Sequence, residues 1–88
     1  MKFMKLKSLF SSILLRHREE RHLTQSEVAE AVSVGSRWYQ KIERGTRLPG
    51  TVTMLRLLVF LEIDVNELSE TLGLIKPVGS NQRQLLHR

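Results

Sequence analysis

Four side chains within six residues could read a nucleotide duplex. Ser36, Arg37, Gln40 and Lys41 fall on one side of a helical turn, whereas Tyr39 and Ile42, three apart, mark the other side. Arg and Lys pair with the acceptor edge of guanine, Gln pairs bidentately with adenine, and Ser suits either. A solvated helix face has the same composition. The difference lies in what must surround such a helix. It needs one buried face, a second helix crossing it closely, and cations flanking it for the phosphates.

Those elements are legible nearby. Thr24 can cap a helix, and Glu27, three residues on, completes a capping box. The second helix then runs over about 25–32 with Val28, Ala29 and Val32 inward. Ala29 is small enough for a close crossing, and Val34 in the Ser33-Val34-Gly35 break is placed to plug the core. Ser36 can cap the third helix, which ends near Arg44, with Gly45 as its stop. Thr51 can cap a fourth helix through Leu61, and Asp64 a fifth over 65–72 ended by Gly73. A first helix over about 5–21 carries Phe10, Leu14 and His17 or Arg18 on one stripe and Leu6, Leu9 and Ile13 on the next. No segment alternates like a strand, so the fold class is all-α. Residues 1–75 form one domain, and 76–88, polar after Pro77, form a flexible C-terminal tail.

Charge is unevenly spread. The net charge is +5, but residues 33–50 alone hold Arg37, Lys41, Arg44 and Arg47 against Glu43, and residues 51–72 hold Arg56 against Glu62, Asp64, Glu67 and Glu70. A local basic patch is the footprint of a polyanion site, and the acidic stretch reads as a solvated face. The chain has no cysteine, which excludes disulfides and thiolate-held metal. No apolar run reaches the ~18 residues of a membrane span, and the lysine-rich start lacks the apolar stretch of a signal peptide. The histidines His17 and His22 are five apart, off the four-residue spacing of a helical zinc pair. The chain therefore reads as a soluble, cytoplasmic protein with no enzymatic activity, metal or cofactor.

The segment Leu23–Leu68 resembles the phage repressor/Cro-type helix-turn-helix domain, the XRE family. The matching residues are Leu23-Thr24-Gln25, Val28-Ala29-Glu30, Val32, Val34, Ile42-Glu43-Arg44-Gly45, Pro49, Leu61 and Glu67-Leu68. The resemblance implies a five-helix bundle like that of lambda repressor. It further implies base contacts from Ser36, Arg37, Gln40 and Lys41. Phosphate contacts are implied at Thr24, Gln25, Gly35, Arg44, Thr46 and Arg47, with Gln25 also supporting the recognition helix. Arg18 and Glu43 match a structural salt bridge between the first and third helices. Ser33 stands where the family prefers glycine, and a left-handed backbone there would be costly for serine; Gly35 could relax the turn or admit a phosphate. Trp38 either covers the core edge, the favoured position, or lies against a sugar-phosphate wall. His17 stands where the family often has an apolar residue.

Two functions follow. One is sequence-specific binding of double-stranded DNA in the major groove by a transcriptional regulator, repression being favoured over activation. The other is an antitoxin or adaptor-type interaction module on the same fold, with a protein partner met by apolar surface or by Leu85 and Leu86 in the tail. A homodimer would use the apolar surplus of the fourth helix or of Leu6, Leu9 and Ile13, unless the two surpluses bury each other.

Overall fold

Each helix begins and ends where local chemistry dictates. The computed structural model describes residues 2–73, 75 and 78, with side chains from Lys5 onward. The expected tail, with Leu85 and Leu86, lies outside these residues apart from Val78. Five helices follow one another: α1 (Lys2–Glu20), α2 (Gln25–Ala31), α3 (Ser36–Glu43), α4 (Thr51–Phe60) and α5 (Val65–Leu72). Helix α1 starts three residues earlier than its periodicity suggests. The Thr24 hydroxyl accepts from the Glu27 amide at 3.0 Å, and the Glu27 carboxylate accepts from the Thr24 amide at 2.8 Å, closing the capping box. Asp64 accepts from the Asn66 amide at 3.0 Å at the start of α5. Two capping assignments shift by one residue. Gly35 and Gly50, not Ser36 and Thr51, are the N-caps of α3 and α4, and neither has a side chain to bond the free amides.

Four helices end in the same backbone device. After α1, the Leu23 amide reaches back to the Arg18 carbonyl and the His22 amide to that of Glu19. The same crossed pair joins Val34 to Ala29 and Ser33 to Glu30, Thr46 to Lys41 and Gly45 to Ile42, and Ile63 to Leu58 and Glu62 to Val59. This Schellman pattern satisfies carbonyls that the helix leaves open, and it requires a left-handed residue at the pivot. Gly45 takes that conformation at φ 81°. The other three pivots carry side chains: His22 at φ 55°, Ser33 at φ 61° and Glu62 at φ 54°. Left-handed geometry costs a residue with a Cβ about 1–2 kcal/mol. The reward is positional. The residue after each of these three pivots, Leu23, Val34 or Ile63, turns into or against the core.

That core gathers Phe10, Ile13 and Leu14 of α1, Val28 and Ala29 of α2 with Val32 at its end, Tyr39 and Ile42 of α3, Leu57 of α4, and Leu61 and Ile63 beyond it. Burying each of the larger aliphatic or aromatic side chains contributes roughly 1.5–3 kcal/mol, offset by the entropy of ordering the chain. Helices α2 and α3 pack on each other, α1 on α3 and α5, and α4 on α2. His17 is buried on the α5 side of α1. Its Nε2 donates to Glu67 at 3.2 Å and its Nδ1 faces Arg21 Nη1 at 3.2 Å; arginine only donates, so Nδ1 accepts. Arg16 also pairs with Glu67. Glu67 is thus a link from α5 to α1, not a member of a purely solvated acidic face.

The two apolar surpluses have different fates. Ile13 is buried, and Leu6 and Leu9 are half-buried. On α4, however, Val52, Leu55 and Val59 form one stripe that stays 56–78% exposed. The two surpluses therefore do not bury each other.

Candidate nucleic-acid interface

Four residues, Val32 to Gly35, join α2 to α3, and each has a physical reason. Val32 is buried as the C-cap, Ser33 is the left-handed pivot, Val34 packs against the core, and Gly35 is the N-cap of α3. Ala29, 2% exposed, lets α3 approach α2. Gly35 is at φ −67°, a conformation open to any residue, and a Cβ built on it meets nothing within 4 Å. It does not relax the turn; Ser33 bears the unfavourable backbone instead. The small size of Gly35 leaves an open patch of backbone beside the α3 N-terminus.

Helix α3 presents two unlike faces. Tyr39 and Ile42 are fully buried. Arg37 and Lys41 are exposed, and Ser36 and Gln40 are half-buried beside them. Beyond the helix, Arg44, Thr46 and Arg47 are exposed. Thr46 is anchored twice to the Lys41 carbonyl, by its amide and by its hydroxyl, each at 3.0 Å. A cationic rim is therefore carried on backbone that the helix end holds in place.

The two faces are kept in register by Glu43. Its carboxylate accepts from Arg18 Nε at 2.7 Å and Arg18 Nη2 at 2.9 Å, a bidentate fork across α1 and α3. It also accepts from Gln25 Nε2 at 2.9 Å and from the Tyr39 hydroxyl at 2.6 Å. Arg18 further donates to the Leu23 carbonyl at 2.7 Å. Burial alone would push the Glu43 carboxyl up, but its bonds to Arg18, Tyr39 and Gln25 outweigh that and hold it below the ordinary carboxylate value. Burial and the adjacent carboxylate push the Tyr39 hydroxyl far above its ordinary value, so it remains a donor. No buried side-chain polar atom among the described residues lacks a partner. One amide hydrogen of Gln25 serves this network, and the second is left over at the first residue of α2.

Trp38 is 38% exposed, with the Arg47 guanidinium 5.9 Å from the centre of its ring. The roles of Tyr39 and Gln25 toward Glu43 join residues 4 and 18 positions apart. The Tyr39 contact is signalled by its i,i+4 spacing on one helix, whereas the contacts of Glu67 with α1 have no signal in the sequence.

A helix-turn-helix domain model matches residues 12–71, which is more than half of the chain. The chain belongs to this helix-turn-helix family. It is 37% identical over 54 residues to the ImmF control region 10 kDa protein of Bacillus phage phi105, a match covering 61% of this chain and 60% of that protein. It is also similar to the cryptic phage CTXphi transcriptional repressor RstR of Vibrio cholerae, at 38% identity over 68% of this chain and 54% of the repressor. A third relative is the uncharacterized HTH-type transcriptional regulator YqaF of Bacillus subtilis, at 39% identity over 50% of this chain and 58% of YqaF. The matched region thus spans less than two thirds of each relative. No solved structure matches at a comparable level. The family match begins within α1, after its lysine-bearing first turns, and ends within α5.

Proposed function

We propose that this helix-turn-helix protein binds double-stranded DNA sequence-specifically and regulates transcription, as a repressor. The observation that carries the reading is the divided third helix: Tyr39 and Ile42 shut into the core, Arg37 and Lys41 free on the opposite side. Such a helix enters a major groove with its polar side toward the base edges. Arg37 and Lys41 are assigned to guanine acceptors, Gln40 to adenine, and Ser36 to whichever edge it meets. The phosphates on either side fall to Thr24, the spare Gln25 amide hydrogen and the open Gly35 backbone at one edge, and to Arg44, Thr46 and Arg47 at the other. The repressor and regulator among the relatives support this reading. The protein would act in the bacterial cytoplasm, where the duplex is.

One such domain offers little contact area. The exposed Val52, Leu55 and Val59 stripe is the surface we assign to a second copy, the dimer then reading half-sites about 34 Å apart. Sedimentation at micromolar concentration tests this: Val59→Lys should leave a monomer of 10.2 kDa where the parent is a dimer. A parent that is already monomeric, and binds DNA as one copy, removes the assignment.

Selection from random duplexes followed by substitution tests the main reading. Arg37→Ala and Lys41→Ala should each reduce discrimination between the selected site and others by ~1–3 kcal/mol. Arg47→Ala should weaken all duplexes alike. Equal losses on every duplex from all three changes, or no binding in dilute buffer, would refute base reading by α3.

A further inference from the structure

Trp38 is the chain's one tryptophan, and neither the core nor the base-reading set accounts for it. It sits on α3 beside Arg37, 38% exposed, and its ring faces the Arg47 guanidinium at 5.9 Å. Arg47 belongs to a different element, the loop between α3 and α4. The backbone on both sides of it is tied down. Thr46 is bonded twice to the Lys41 carbonyl, and Leu48 packs against the core. The remaining freedom of Arg47 is in its own long side chain. An arginine loses up to ~2 kcal/mol of rotamer entropy when a contact immobilises it. A flat aromatic face that already holds the guanidinium lowers that cost without consuming its hydrogen-bond donors, which point outward in the plane of the group.

We propose that Trp38 is a positioning residue: its indole holds Arg47 ready, from across the α3–α4 junction, for the DNA backbone. This rests on the phosphate role assigned to Arg47 above. It makes the aromatic residue in the recognition helix a part of backbone binding, with no base contact of its own. A cation–π contact at an exposed site has the strength to change affinity about two- to fivefold.

The contact is tested first without DNA. In the free full-length protein, Arg47→Ala should shift the emission of the single indole, and an unchanged spectrum overturns the contact. Affinity is then measured against salt for the parent, Trp38→Leu, Arg47→Ala and the double variant, with circular dichroism to check folding. Trp38→Leu should weaken every duplex about two- to fivefold and retain most of the salt slope. Arg47→Ala should flatten the slope by about one. Adding Trp38→Leu to Arg47→Ala should cost nothing further, and Trp38→Phe should restore part of the loss. Losses that multiply in the double variant show Trp38 acting independently of Arg47 and overturn the proposal. A parent that binds no duplex in dilute buffer refutes the DNA reading itself, a different result from binding with independent losses.

Discussion

Replacing Glu43 by Gln is the sharpest test of how α3 is held. The Glu43 side chain is 4% exposed and that of Arg18 is 14% exposed, so neither charge has ready access to water. Each carboxylate oxygen takes two donors: Oε1 from Arg18 Nη2 and Gln25, Oε2 from Arg18 Nε and Tyr39. In the glutamine variant one of these positions becomes an amino group facing Arg18, and whichever way the amide turns, donor meets donor. The guanidinium is left buried without its counter-charge. Breaking a buried pair in this way costs about 3–5 kcal/mol. A domain of this size has roughly 5–10 kcal/mol in all, so Glu43→Gln should lower the melting temperature by about 15–30 °C. Urea unfolding followed by helical circular dichroism at pH 7 measures the difference. The pH dependence supplies a second reading. The folded Glu43 carboxyl titrates below its ordinary 4.5, so its contribution is complete above that value and is lost as pH falls through the folded pKa. The gap between parent and variant should therefore be constant near neutrality and close below pH 4.5. A loss under about 1 kcal/mol at pH 7, or a gap that does not close in acid, would show that the four contacts do not carry the α1–α3 junction.

Other substitutions address the helix ends and the interface. Ser33→Gly removes a Cβ from a left-handed backbone at φ 61° and should raise stability by about 1 kcal/mol in thermal melts, since the gain of ~1–2 kcal/mol is partly offset by glycine's greater freedom when unfolded. Gly45→Ala should do the reverse, by about 1–2 kcal/mol, because the backbone is at φ 81° and the new Cβ would sit 3.4 Å from Ser11 Oγ and 3.5 Å from Ser8 Cα of α1. Binding of the parent to its selected duplex should fall steeply between 50 and 200 mM salt, on the order of a hundredfold or more for four to six phosphate contacts. Affinity that is flat in salt would point to an apolar protein partner instead.

The helix-turn-helix is legible in the amino-acid sequence because its requirements are local. A capping box needs Thr24 and Glu27 three apart, a close crossing needs a small residue at Ala29, and a helix with two faces needs Tyr39 and Ile42 against Arg37 and Lys41. Each is a property of spacing along one helix or one turn, where a periodicity of 3.6 residues converts sequence directly into position. The same locality misled at the caps, because Ser36 and Thr51 look like caps whenever the glycine before them is ignored.

The amino-acid sequence by itself determined the all-helical fold class, where the third helix with its polar face lies and which cations flank it. Only the tertiary structure decided that Gln25 joins the Arg18–Glu43 pair, that Glu67 ties α5 to the buried His17, and that the α4 stripe stays uncovered. The physical reason is distance along the chain. A helix face is specified by neighbours one turn away, but Gln25 meets Glu43 across 18 residues and His17 meets Glu67 across 50, and their meeting follows from how the helices settle around one core.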